Sequence, residues 1–526
     1  MANAMAQGTP GSSDIQRAQG QHEARLSPFA RVTLLALAAL VTLGTLALWL
    51  RNLLGALRSE AGRYDFSTYY AAAAALRHNL HANIYDAATL ARTGANAHTL
   101  VNPPLPYTYP PLFAILLSPF TLLSFHTLSR VWLLGNAALW LAITLLLAND
   151  IRYLLADRLT GGASAPIPTG SRFAPARLLF DPAPLVALAL AVLISLPFAP
   201  AQQTLATGQI NFVVLAPLAL IPWLSRHRHE RWVGVMVAIA AMLKFTPAIL
   251  LLYLALRRRW TALIAALVAL VALTLVSVAV VGPSVAFAAL PQALRVGGGD
   301  ASLGHNEALF APLLSALGYP SALKLVEYAV LALLALAIGA LLWRDPQPAL
   351  QVNPAADTGV ASDYSRAAAE MAGYGIALCA MILLSPTAWV HHYVWLLPAL
   401  AMGVGLASAH LLAAYELPGA RGRGRAWALV AAVTLAALAL AWGLPHAWDT
   451  DPNPAITTLL GLPLHTPLLE LRPLAALALL VALAICYRAP LPAPVATQRP
   501  GRVPAAGYTD SIDGVDAAQA TRAAQA

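Results

Sequence analysis

The sequence predicts an all-α polytopic membrane protein of about twelve transmembrane helices with a membrane-lying first outer loop. Three observations carry this. Of the 526 residues, 59% are hydrophobic and only 10% are charged, where a soluble globular chain is about one quarter charged. Apolar runs long enough to cross a bilayer recur along most of the chain, too many for a single anchor. The formal net charge is +9, yet the arginines sit in short stretches between apolar runs. That is the positive-inside pattern rather than a nucleic-acid-binding face, so membrane lipids are the expected surroundings and no nucleic acid partner is expected.

In chain order, residues 1–29 are polar, carry no cleavable signal pattern, and are expected to be a disordered cytoplasmic tail. The membrane domain is expected over 30–487 and a second disordered cytoplasmic tail over 488–526. The first span is 32–50. The stretch 51–109, with a helix-like run over 67–80, is too polar to span and suits amphipathic helices lying on the outer surface. The run 111–123 reaches only about 20 Å as a helix against a core of about 30 Å, so it reads as re-entrant or interfacial. Further spans are expected at 128–148, 184–199, 209–224, 261–281, 323–343, 371–384, 393–407, 426–444 and 474–486. Cys379 and Cys486 fall inside apolar runs and read as buried thiols, with no disulfide or Cys-based metal site.

The run 232–256 is interrupted by Lys244-Phe245-Thr246-Pro247 and flanked by basic clusters at Arg226-His227-Arg228-His229 and Arg257-Arg258-Arg259. If both clusters are cytoplasmic, the run enters and returns as two half-helices. Placing these clusters, the linker near 150–182, Arg344–Arg366 and Arg421–Arg425 inside puts the loops around Asp65, Gln209, His305, His391 and Asp449 outside. Most of the polar motifs then share one face.

Asp65, between Tyr64 and Phe66, is either a base whose affinity for protons is raised by an apolar surface or the N-cap of the following helix. In Tyr107-Thr108-Tyr109-Pro110-Pro111 the prolines set a helix entrance, and the tyrosines suit either sugar stacking or an aromatic belt. Gly208-Gln209-Ile210-Asn211 offers two amides for sugar hydroxyls, or for helix capping. Lys244 is an intramembrane cation beside a proline break, where a cavity is usually lined, and is either a point-charge partner for a phosphate or a lysine that snorkels to the interface. His391 and His392 follow Trp389. As neighbours they diverge by about 100° on a helix, which disfavours shared metal ligation and favours hydrogen bonding. Asp449-Thr450-Asp451 precedes Pro452 and reads as a solvated turn, and Gly297-Gly298-Gly299 follows no strand and is no nucleotide loop.

Taken in order, Asp65-Phe66, Tyr109-Pro110-Pro111-Leu112, Gly208-Gln209-Ile210-Asn211, Lys244-Phe245-Thr246-Pro247 and Ser385-Pro386 to Trp389 with His391-His392 resemble glycosyltransferase family 87 over about residues 30–410. These are the polyprenol-phosphate-mannose-dependent mannosyltransferases of the GT-C superfamily. The resemblance implies a GT-C-type helical bundle, a polyprenyl-phosphate sugar donor, a glycolipid or glycan acceptor and an inverting transfer, with no cofactor or metal. It assigns Asp65 as catalytic base. It groups Tyr64, Tyr69, Tyr109, Gln209, Asn211, Lys244, His305, Asn306, Trp389, His391 and His392 as substrate-binding candidates, with Lys244 and the two histidines near the donor phosphate or the acceptor. The outer loop departs from the family's Asn-Gln-Ser-like segment, carrying His305-Asn306-Glu307-Ala308. Such a transfer needs one carboxylate to deprotonate an acceptor hydroxyl and a cation to stabilise the departing phosphate. The expected setting is a bacterial inner membrane with the site facing the periplasm. A secondary transporter, or another GT-C enzyme with a different sugar or acceptor, is the alternative; a transporter predicts matching helix breaks in both halves.

Overall fold

The computed structural model describes residues 28–58, 64–159, 182–299, 306–311, 321–345, 359–385, 387–416, 420–441, 458–459, 462–463, 471–489 and 491. His305, the Asp449–Asp451 turn, most of both tails and most of the linker after residue 159 lie outside the described residues.

The helices, in order, are α1 (Pro28–Arg58), α2 (Tyr64–His78), α3 (Ala87–Asn96), α4 (Pro111–Leu117), α5 (Phe125–Leu159), α6 (Ala183–Ser195), α7 (Ala199–Thr207), α8 (Asn211–Arg226), α9 (Glu230–Leu243), α10 (Ile249–Leu256), α11 (Trp260–Val281), α12 (Pro283–Gly299), α13 (Ser321–Trp343), α14 (Gly359–Leu383), α15 (Leu397–Glu416), α16 (Ala420–Ala441) and α17 (Leu471–Arg488). Short 3-10 turns follow α4 and precede α10 and α15 (Ser118–Leu122, Thr246–Ala248, Val390–Leu396). Two-residue strands pair antiparallel at Thr458–Leu459 and Leu462–Pro463. The chain is otherwise helical among the described residues.

Eight described helices are long and apolar enough to cross a bilayer, and the bent pair Ala183–Ser195 with Ala199–Thr207 makes up to nine. Pro111–Leu122, Asn211–Arg226 and Thr246–Leu256 are shorter apolar helices. The chain is thus a polytopic membrane protein. Burial grades the spans: the apolar window of α14 is 83% buried, whereas those of α1 and α13 are each 11% buried. With no water in the hydrocarbon, the outward faces of such helices are left to lipid.

The expected spans differ from the structure mainly at their breaks. The run expected at 184–199 ends at Ser195 and turns by 63° into α7, because Pro197 and Pro200 cannot donate to a continuing helix. The interrupted run breaks at Lys244, whose backbone is extended (φ −154°, ψ 137°), before Pro247 in the following 3-10 turn. α14 starts at Gly359, earlier than its apolar core, and its first turns are polar; there Tyr364 donates to the Leu154 carbonyl at 2.7 Å and Ser365 to the Leu491 carbonyl at 2.7 Å. Close packing of α9 on α11 depends on Gly234, where a Cβ would meet the Ala262 carbonyl at 1.9 Å, the small-residue contact typical of membrane helices.

At the Arg226 end the helices are tied by buried charge. Arg226 pairs with Asp150 of α5 at 2.7 Å, the two side chains 6% and 1% exposed, and its guanidinium lies 4.8 Å from the Tyr153 ring centroid. Arg259 takes both carboxylate oxygens of Glu230, at 2.9 and 2.7 Å. Removing one partner of a buried pair leaves an uncompensated charge and typically costs about 3–5 kcal/mol, whereas removing both costs much less. Arg226→Met is therefore expected to lower the detergent-solubilised unfolding temperature clearly, and adding Asp150→Leu to recover most of it. Tryptophan-fluorescence melts check both, and equal melts for the single and double variants would contradict the pairing.

Candidate active site

Four segments that are not continuous spans meet at one place: the start of α2, the α7–α8 junction, the α9–α10 break and the turn before α15. Asp65 lies inside the first turn of α2, not at the capping position before it. Its carboxylate is partly buried, and the Gln209 and Thr207 side chains stand close enough to act on its charge. Burial raises its pKa to about 6, against the lowering effects of Gln209, of the Lys244 charge and of Thr207. Phe66 next to it is fully buried against Trp132, with ring centroids 5.5 Å apart.

The α7–α8 junction turns on Gly208, which closes α7 in the left-handed conformation at φ +72°, an arrangement that favours glycine. A Cβ there would stand 2.9 Å from Phe66 Cβ, and the Trp132 indole donates to its carbonyl at 2.8 Å. The turn places Gln209 and Asn211 inside, 3% and 0% exposed. Tyr69 Oη lies 2.8 Å from both Gln209 Oε1 and Tyr109 Oη.

Lys244 Nζ donates to Asn211 Oδ1 at 3.2 Å and lies 2.8 Å from His392 Nε2. It also sits over the Tyr109 and Trp395 rings, 5.4 and 4.9 Å from their centroids. Asn211 spends its other end on the His391 carbonyl, which Nδ2 reaches at 3.1 Å. His392 stacks on Trp395 at 5.1 Å, and His391 stacks on Trp389 at 6.1 Å. Tyr64 is exposed at the helix start.

The segment 306–311 is stitched to this turn. Asn306 Oδ1 accepts from the Ala308 and Ala388 amides at 3.0 and 2.9 Å. The Glu307 amide donates to the Ala388 carbonyl, and Tyr393 donates to the Glu307 carbonyl at 2.6 Å. The Glu307 carboxylate forms a buried ion pair with Arg472 of α17.

The structure thus brings Asp65, Tyr69, Tyr109, Gln209, Asn211, Lys244, His391 and His392 together, with Asn306 holding the adjoining backbone. Sequence reading missed Thr207, Trp395, Trp132, Glu307 and Arg472. Trp395 is three residues past His392, one 3-10 turn, and that spacing was a usable signal. Arg472 opening an apolar run was another. Nothing local marks Thr207 or Trp132.

The glycosyltransferase family 87 profile matches residues 107–356, which includes Tyr109, Gln209, Asn211 and Lys244 but neither Asp65 nor His391. The polyprenol-phosphate-mannose-dependent alpha-(1-2)-phosphatidylinositol mannoside mannosyltransferase of Mycobacterium tuberculosis is 32% identical over 328 residues, 60% of this chain and 65% of the relative, just under two thirds of its length. Its counterpart in Mycolicibacterium smegmatis is 30% identical, covering 61% of this chain and 67% of the relative. This chain belongs to glycosyltransferase family 87. A pentamannoside mannosyltransferase of the same dependence from M. tuberculosis is 29% identical over 73% of this chain and 77% of its own length. No solved structure matches the chain. Membership groups this membrane protein with the glycosyltransferases of that family.

In this glycosyltransferase Gly208 controls both the Asp65 and the Gln209 positions. Gly208→Ala is expected to cost about 1–2 kcal/mol of stability from the backbone conformation alone. By displacing Phe66 it should also lower transfer about tenfold to a hundredfold, the scale of a small misplacement of reacting groups. Melts and turnover of the purified variant check this, and full turnover would contradict it.

Proposed function

We propose that this glycosyltransferase moves a hexose, taken here as mannose, from a polyprenyl-phosphate donor to a glycolipid or glycan acceptor on the outer face of a bacterial inner membrane. The observation that carries the reading is the placement of one carboxylate and one ammonium, Asp65 and Lys244, on separate segments of one cluster, each within reach of the other's charge. An inverting displacement needs that separation, because the base and the leaving phosphate act on opposite sides of the anomeric carbon.

Asp65 takes the proton of the acceptor hydroxyl. The oxygen attacks the anomeric carbon as the bond from that carbon to the phosphate oxygen breaks. The departing polyprenyl phosphate gains negative charge, which Lys244 stabilises, with His392 and Asn211 fixing the ammonium. Trp389 and His391 form a stacked aromatic wall for the sugar. Tyr64 is exposed for the acceptor. Asn306, and His305 just before it, belong to the outer segment beside that wall. The named relatives depend on polyprenol-phosphate-mannose, which supports the same donor class here.

Purified protein offered a nucleotide sugar or a polyprenyl-phosphate sugar with one acceptor extract should turn over only the second. Asp65→Asn should lower turnover by about 10²–10⁴, the usual contribution of a general base, while the protein still folds. Lys244→Met should weaken both donor binding and turnover. Turnover with the nucleotide sugar alone would overturn the donor class, and wild-type turnover by Asp65→Asn would remove the base.

The sidedness is tested by labelling. Cysteines at the exposed positions Asn79 and His227 should react with an impermeant maleimide from the outside and only after permeabilisation, respectively. Native Cys379 and Cys486 are buried and give little background. Labelling of both sites from one side would contradict the topology.

A further inference from the structure

We propose that Gln209, anchored by the hydroxyls of Tyr69 and Tyr109, is a positioning residue that aims and holds the Asp65 carboxylate, rather than a sugar-contacting group. The proposal rests on the reading of Asp65 as the base.

Hydrogen-bond capacity decides how Gln209 is oriented. A side-chain amide has two acceptor sites on oxygen and two donors on nitrogen. Gln209 Oε1 lies 2.8 Å from Tyr69 Oη and 3.3 Å from Tyr109 Oη, so the amide oxygen, not the nitrogen, faces the phenols. That fixes the amide's orientation and leaves its nitrogen for the neighbouring Asp65 carboxylate, whose charged form it favours. Tyr69 Oη has one proton and two neighbours at 2.8 Å, Gln209 Oε1 and Tyr109 Oη. Tyr69 donates to Tyr109, and Tyr109 in turn donates to Gln209 Oε1 at 3.3 Å. The two phenols thus close on the amide oxygen, Tyr69 to Tyr109 to Gln209, and each link polarises the next. Tyr69 and Gln209 are 1% and 3% exposed, and the Tyr69 ring is clamped edge-on by Tyr109 and Phe113 at 5.1 and 5.2 Å. Neither side chain is free to turn toward a sugar.

The titratable groups facing Asp65 are the Tyr69 and Tyr109 phenols and, across the site, the Lys244 ammonium. His391 and His392 face Lys244 rather than the carboxylate. Of the elements packed on α2, α4 with its 3-10 turn and α7 carry no titratable side chain, while Arg92 of α3 and His126 and Arg130 of α5 are exposed. Gln209 lowers the Asp65 pKa, so losing its hydrogen bond raises it. The ionised base is then lost at higher pH as the medium is acidified.

The test is the pH dependence of kcat/KM for the full-length enzyme in detergent, with a polyprenyl-phosphate sugar as donor. Gln209→Met should move the acidic limb upward by about one pH unit, the size of a hydrogen bond to a charged group. The double variant Tyr69→Phe with Tyr109→Phe keeps the packing and should move the limb the same way by less, which keeps the test open if Gln209→Met fails to fold. An unmoved limb in the folded variants overturns the proposal, and so does a raised acceptor KM with the limb in place, which would mark sugar contact. Failure of the base reading is seen separately: Asp65→Asn would then retain the wild-type acidic limb.

Discussion

An ammonium in an apolar run must be given back what water would have supplied, and one cluster of this protein is organised around meeting that demand at Lys244. Isolated charge at membrane depth costs several kcal/mol. Here it is offset by a carbonyl oxygen from Asn211, an imidazole nitrogen from His392, the faces of Tyr109 and Trp395, and the opposing charge of Asp65. These partners come from four segments far apart in sequence. The single cation therefore fixes the approach of α2, the α7–α8 junction and the turn before α15 to the α9–α10 break.

Each segment reaches that point by leaving the helical ladder, and the hydrocarbon allows this only where the freed backbone groups find partners. The partners are on the page. The Gly208 carbonyl takes the Trp132 indole. The His391 carbonyl takes Asn211 and, more loosely, Thr204 at 3.4 Å. Ala388 exchanges bonds with the Asn306 side chain and the Glu307 backbone. The amides and hydroxyls of the site thus serve backbone satisfaction and charge orientation together, which is why so few of them are left over.

Helix content, the broken run at Lys244 and the re-entrant length of 111–123 were legible because each follows from a local property: apolar run length, a proline, a cation out of place. So was the grouping of Asp65, Gln209, Asn211, Lys244 and His392, through motif order. The bend after Ser195 was less legible, since its prolines lie near the end of a run that is apolar throughout. Roles within the cluster were not legible at all. Gln209 and Asn211 look alike as amides near a glycine, yet one is turned toward a carboxylate by two phenols and the other toward an ammonium. The pairing of Glu307 with Arg472 joins positions that share no pattern, and only the packing of α17 brings them together.

The charged groups divide into two kinds, and the division separates stability from chemistry. Arg226 with Asp150, Arg259 with Glu230, and Arg472 with Glu307 are closed pairs, in which each charge answers the other directly. Asp65 and Lys244 attract one another but stay apart, each stabilised by neutral groups instead. A closed pair has no remaining field to offer a substrate, because its charges are already neutralised. Charges held by neutral groups keep a field to offer a substrate, with the surrounding dipoles already oriented. That orientation has to be supplied by rigid, fully bonded neighbours, because loose ones would let the carboxylate and the ammonium collapse together. The tyrosine-held amide on one side and the Asn211–His392 cradle on the other keep the two charges open, so the rigidity of this cluster is a condition of its chemistry.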